Sequence, residues 1–451
     1  MNLKLRQVAR GVVAPKGFKA AGVFCDIKRL GTGKGSDKGP KRDLALVVSE
    51  AAATVAGMFT TNQICAAPVK LCVQRVKNGQ AQAIVINSGN ANACTGKQGL
   101  KDALEMARFT ETALAFKSGT ALVGSTGRIG VNLPMDNVRT GIIEAAVELG
   151  SSEKHAARAA EAIMTSDTHP KQIAVEFCLG RVPVRIGGMC KGAGMIQPGM
   201  SATGNRPPAI PLHATMLCFL TTDAAVEPKT LQAALHDAVA NSFNRITVDG
   251  DMSTNDTVLL LANGMAGKEG AKVQSQRSKV KGRSSVEFRI FQQGLNHVCL
   301  QLAKMIVRDG EGVSRFVTVR VSGARSFQDA DAAARSVANS PLVKTSWHGG
   351  DPNWGRIIDA LGYSAARVVE EKVDIGYSAP GSNRVLWSLK KGHPTKAGFQ
   401  ALCAAVAPKE FDLHINLNLG SSNALIYAAD LTETYVEFNK GDVTDPGSLG
   451  G

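Results

Sequence analysis

The chain has 451 residues, 44% of them hydrophobic and 20% charged, with a formal net charge of +14. That length holds two or three domains and a large core; the hydrophobic fraction excludes a disordered chain, the aperiodic Gly and Pro exclude collagen-like and low-complexity classes, and the absence of a long apolar run excludes a membrane-spanning helix. The basic excess suits anionic partners of several kinds, but aromatic residues make up only 5% of the chain, too few for stacking platforms on nucleic acid.

Elements follow in chain order. The start carries Lys4, Arg6 and Arg10 without an apolar run, so it does not read as a secretory signal. A basic stretch, Lys28 to Arg42, contains GTGKG but lacks phosphate-loop spacing and reads as a solvated loop. Strands are expected at Leu44–Val48 and Ala83–Asn87, then a helix over Gly99–Phe116 with Leu100, Leu104, Ala107 and Leu114 at helical spacing. Strands Ile173–Phe177 and Val182–Ile186 lead to a Pro-, Gly- and Asn-rich surface loop, Gln197–Leu212. Pro228 opens a helix through Leu231, Leu235 and Val239. Next come a strand at Val258–Ala262, a second basic loop from Lys268 to Arg283, and a helix at Gly294–Val307. Strands Phe316–Val321, Leu413–Leu417 and Ala424–Tyr427 complete the pattern. Such interleaving predicts an α/β or α+β protein. Nine cysteines without a CxxC pair, mostly in apolar surroundings, predict buried free thiols in a reducing compartment, and a cytoplasmic location is expected.

The most informative stretch follows the Pro-rich loop. From His213, a polar segment turns abruptly into the apolar run Met216-Leu217-Cys218-Phe219-Leu220, with Thr215 at the junction. A Thr at a strand edge is ordinary, since β-branched residues favour strands. Its chemistry there still bears stating. If the peptide bond before Thr215 is cut, the new α-amine lies beside the residue's own hydroxyl. With a pKa of about 7.7, that amine can accept the hydroxyl proton near neutral pH. One residue then supplies nucleophile and base, given an oxyanion stabiliser.

The motifs around this junction carry a resemblance. They are Gly11–Phe18 (GVVAPKGF), Met58–Asn62 (MFTTN), Asn87–Gly96 (NSGNANACTG), Ser125–Gly130 (STGRIG), Lys191–Met195 (KGAGM) and Ala214–Leu217 (ATML). Phe243–Asp251 (FNRITVDGD), Ser253–Thr257 (STNDT) and Asp351–Arg356 (DPNWGR) follow in order. On these the chain resembles the ornithine acetyltransferase (glutamate N-acetyltransferase) family of arginine biosynthesis, nearly end to end.

The resemblance implies a self-processed two-chain enzyme with an α/β (α+β) sandwich of N-terminal-nucleophile-like fold. Cleavage at Ala214-Thr215 would give an α chain, residues 1–214, and a β chain, residues 215–451, assembled as an α2β2 heterotetramer. Thr215 would take acetyl from N-acetylornithine and pass it to glutamate by ping-pong transfer. Thr126 and Gly127 would form the oxyanion hole; by itself STG also reads as a plain turn after the strand Ala121–Gly124. Substrate contacts would fall on Thr168, Lys191, Thr215, Glu311, Asn439 and Thr444, with Thr165 a rival for Thr168. Neither a resident cofactor nor a metal is implied; acetyl-CoA enters, if at all, as a donor substrate. No nucleic acid and no membrane partner is expected. His213 flanks the cut, His348 and His414 read as structural, and Asp249 and Asp251 suit either a carboxylate pair or turn bonds.

Two departures stand out. An insert, Ser201–Leu212, precedes the scissile bond and contains Ala202-Thr203, a rival cut site that no apolar strand follows. The family's usual Ala-Thr-Lys after GEG is here Val313-Ser314-Arg315. Two other readings stay open: a self-processing amidohydrolase or aminopeptidase using water as acceptor, and an uncleaved scaffold whose basic loops bind polyanions.

Overall fold

The computed structural model describes residues 4–28, 41–203, 216–267, 279–280 and 282–440. Ala214, Thr215, His213, Thr444, most of the insert and most of both basic loops lie outside the described residues. The first sheet is built from Arg6–Gln7 (β1), Phe18–Val23 (β2), Leu44–Phe59 (β3), Gln80–Asn90 (β4), Ala121–Arg128 (β5), Lys171–Leu179 (β6) and Val182–Lys191 (β7). Its remaining strands are Leu217–Thr222 (β8) and, beyond the short Ala225–Val226 (β9) and Ile246–Thr247 (β10), Thr257–Ala262 (β11). The strand order is β1-β6-β7-β8-β11-β3-β4-β5, with β2 also on β3. Strand β3 is 16 residues long. Its first half pairs with β2, its second half with β11, and β4 spans both across an irregularity between Val48 and Ala53.

Strand β8 is buried throughout. Cys218 and Leu220 face a core with the helices Pro228–Ala240 and Val286–Arg308, while Leu217 and Phe219 face a second core on the other side. Burial on both faces is why this segment reads as one unbroken apolar run. Among the described residues the strand β12 (Lys279–Val280) pairs with β9 alone. A second sheet combines β10 with Phe316–Ala324 (β13), Asp374–Ser378 (β14), Leu386–Lys390 (β15), His393–Pro394 (β16), Glu410–Asn416 (β17) and Ser422–Ala429 (β18). One face of it packs on the helices Phe327–Asn339, Pro341–His348, Trp354–Gly362 and Phe399–Val406. The architecture is thus mixed α/β, as expected.

Each strand named from the sequence is present. The helix expected at 99–116 runs from Gly96 to Ala113, and the one expected at 294–307 begins earlier, at Val286, where Ser285 caps the Phe288 N–H. Cys25, Cys72, Cys190, Cys218 and Cys299 are buried free thiols, but Cys94 and Cys178 are exposed, on a left-handed turn and near a strand end. Among the described residues no helix is long and apolar enough to cross a membrane.

Candidate active site

The described chain resumes at Met216, the residue bonded to Thr215. Its N–H donates to Asp256 Oδ1 and its carbonyl accepts from Thr257 N at 3.1 Å. One step on, Leu217 stands in register with Lys191 of β7 on one side and Thr257 of β11 on the other. Asp256 is fully buried, and its Oδ2 has no hydrogen-bond partner among the described residues. Burial pushes its carboxyl well above the usual range, against the pull of the Met216 N–H and the Lys191 charge. The other end of the insert lies close by. Ser201 forms a two-bond bridge to Phe59, Gly199 O accepts from Thr61 Oγ1 at 2.8 Å, and Thr60 N donates to Asp256 O at 2.8 Å. So the rival pair Ala202-Thr203 follows directly on a bridge to the β3 end.

The proposed oxyanion pair sits at the end of β5. Thr126 is buried and in register with Ser88 of β4. Gly127 has φ +129°, and a Cβ there would come within 2.4 Å of the Gly89 carbonyl carbon. Only glycine fits that crossing. Four strand steps separate β5 from β8 in the sheet, yet side chains bridge the gap. Asn255 Nδ2 donates to Ser125 O at 2.8 Å and to Ala91 O at 2.7 Å. The next residue is Asp256, on the Met216 N–H. Phe219 of β8 also reaches Gly124 of β5, where a Cβ would lie 2.9 Å from its ring. The loop 253–256 therefore links the STG segment to the strand that follows Thr215.

Lys191 lies only 3% exposed. Burial draws its pKa down, and Asp167, 4.0 Å away, opposes that. Behind it Lys171 is fully buried between Asp167, at 2.5 Å, and Asp309. Burial works against ionisation of Asp167, but Lys191 and Lys171 outweigh it and hold the carboxyl at about 2. Thr168 joins this network: its hydroxyl and its N–H both bond Asp309. Thr165 enters only through its N–H, to Asp167 Oδ2 at 3.1 Å.

Glu311 and Asn439 meet directly, with Asn439 Nδ2 donating to Glu311 Oε2 at 2.9 Å. The Glu311 N–H bonds Ala193 O at 3.0 Å, which seats its loop on the KGAGM turn. A Cβ on Gly194 would be 2.3 Å from Glu311 Oε2, so the second glycine of that turn makes room for the carboxylate. Asp249 pins the same turn by accepting the Met195 and Ile196 N–H groups at 2.6 and 2.8 Å. Its partner Asp251 only donates its N–H to Asp249, so these two form turn bonds and no paired acid–base site.

Lys191, Glu311 and Asn439 thus surround one turn, and Thr168 reaches Lys191 through Asp309, Lys171 and Asp167. Ser314 bonds Asp430 and stands 3.1 Å from His348 Nδ1, while Arg315 holds Trp347 O at 2.7 Å. The altered residues after GEG therefore brace the helix Pro341–His348, with His348 Nε2 on Glu433 at 2.9 Å. His414 bonds Ser378 across two strands. The sequence reading did not single out Asp256, Asn255, Lys171 or Asp309. Only the STNDT block, noted as a motif, hinted at the first two.

The chain matches the model of the ArgJ family over residues 19–442. It is 45% identical to the arginine biosynthesis bifunctional protein ArgJ of Symbiobacterium thermophilum, over 96% of this chain and 98% of that protein. It is 40% identical to the glutamate N-acetyltransferase of Methanocaldococcus jannaschii, over 96% of this chain and 99% of that one. Among solved structures it is similar to the ornithine acetyltransferase of Mycobacterium tuberculosis complexed with ornithine, at 38% identity and TM-score 0.39, covering 44% of this chain and 100% of that chain.

Proposed function

The chain belongs to the ArgJ family and is an acyltransferase of arginine biosynthesis, and from that premise we propose that it carries acetyl from N-acetylornithine to glutamate through an ester on Thr215. The chain first cuts itself between Ala214 and Thr215, giving residues 1–214 and 215–451, which assemble as an α2β2 heterotetramer in the cytoplasm. Thr215 Oγ then attacks the acetyl carbonyl while its proton passes to the adjacent α-amine. The Thr126 hydroxyl and the Gly127 N–H hold the oxyanion. Collapse breaks the amide C–N bond, and the proton leaves on the ornithine amine. Glutamate attacks the ester by the reverse route and frees Thr215.

One observation carries this reading. A buried cation, Lys191, stands in register beside the strand that begins after Thr215, and the Glu311–Asn439 pair closes the same turn. A cation for the substrate carboxylate and a carboxylate for the ornithine amino group thus flank the nucleophile's strand. Thr168 and Thr444 complete the substrate contacts in this proposal. Acetyl-CoA serves, where accepted, as another donor to the same ester, and no resident cofactor takes part.

The test is Thr215→Ala, which should yield one uncut chain without transfer activity. In the wild type, N-acetylornithine alone should release about one ornithine per site and leave an acetylated β chain. Sustained release without glutamate would instead favour a hydrolase with water as acceptor.

A further inference from the structure

Asp256 presents an unresolved half-contact. One carboxylate oxygen caps the Met216 N–H, while the other is sealed from solvent and has no hydrogen-bond partner among the described residues. A buried polar atom without a partner is costly, the more so when charged, so this one suits a donor that the cut would create. The surroundings narrow its chemistry. On the β7 side the charged neighbour is Lys191, itself drawn to Asp167 and Glu311 and repelled by Lys171. From the β3 end Thr60 approaches, its N–H bonding the Asp256 backbone carbonyl and not the carboxylate. The β11 side contributes Asn255, committed to Ser125 and Ala91. What remains in reach is set by covalent geometry. Three bonds separate the Thr215 nitrogen from that of Met216, which keeps the two within about 4 Å.

Resting on Thr215 as the nucleophile freed by cleavage, we propose that Asp256 is a positioning residue whose free oxygen receives the α-amino group created at Thr215. In the uncut chain that nitrogen is an amide. After the cut it is an amine, and the carboxylate orients its lone pair toward the hydroxyl. As Thr215 Oγ bonds to the acetyl carbon, the amine takes the hydroxyl proton and becomes an ammonium facing Asp256. As the C–N bond breaks, that proton leaves on ornithine. Asp256 forms no covalent bond, and the ammonium facing it favours the carboxylate against the burial that otherwise raises its pKa.

Asp256→Asn separates this role from strand capping, because the carboxamide oxygen can still accept the Met216 N–H. A carboxylate beside the ammonium raises the amine's pKa, and activity needs the free amine. Loss of the charge should therefore move the acid limb of the kcat profile to lower pH by about one unit. It should also cut the plateau kcat by at least about tenfold, since the ammonium of the transition state loses its counter-charge. Cleavage should persist. An unmoved acid limb with a plateau within about twofold of wild type would overturn the proposal, and so would a folded variant that stays uncut. Should the variant fail to fold, cyanate modification of the wild-type Thr215 amine decides. An apparent pKa higher in the native protein than in the denatured β chain supports the assignment; an equal or lower one overturns it. A wild-type chain that is active but uncut would instead remove the acetyl-Thr215 reading itself, and Asp256's role with it.

Discussion

Gly194 decides how close the Glu311 carboxylate can come to the KGAGM turn. A methyl group there would occupy the place of Glu311 Oε2. The displaced carboxylate is the far end of a flexible side chain, so it can swing aside without disrupting the fold. Gly194→Ala should therefore raise KM for N-acetylornithine by about 10–100-fold, the worth of one charge-assisted hydrogen bond, with less change in kcat and none in cleavage. Steady-state kinetics would check this; an unchanged KM would mean that Glu311 does not meet the donor. At this scale the sequence was partly legible. Lys191, Glu311 and Asn439 could be named from motifs, and the structure gathers them around one turn. Asp256, Lys171 and Asp309 could not, because their roles arise from contacts between segments far apart in the chain, such as Lys171 with Asp309. Buried charge of this kind leaves no periodic signal in a sequence.

Among elements, the short helix Glu433–Phe438 matters beyond its six residues. Thr432 caps it by accepting the Tyr435 N–H at 3.1 Å and donates its own hydroxyl to Gly312 O at 2.7 Å. That one hydroxyl fastens the segment leading to Asn439 against the loop holding Glu311. Thr432→Ala should cost about 1 kcal/mol of stability, as for a lost helix cap. It should raise KM several-fold while leaving self-cleavage complete; denaturant unfolding and kinetics on the same preparation would show both, and wild-type KM would separate the helix from the site. Element boundaries were less legible than element existence. The strand expected at Leu44–Val48 is only the first part of β3. The strand in fact continues past an irregular pairing to Phe59, since β4 and β11 supply partners there. The helix Phe327–Asn339 buries mainly alanines, whose weak apolar stripe gives little to read. Strand β8 was plain because both its faces are core.

On the scale of the whole molecule, the proposed cut falls inside the first sheet and not between separable bodies. Strands β1 to β7 precede residue 214, whereas β8 and β11 follow it and lie between β7 and β3. Six residue pairs join β8 to β7 and six join β11 to β3. Breaking one peptide bond leaves all of these in place, together with the core that both chains share. The α/β class was legible from alternating patterns; this interleaving was not, because sheet order is fixed by long-range pairing. The most direct measurement is the mass of active, untreated enzyme under native and denaturing conditions. Native mass should show both chains held together. Denaturing mass should resolve them into fragments ending at Ala214 and beginning at Thr215. A single unbroken polypeptide with full transfer activity would contradict the account.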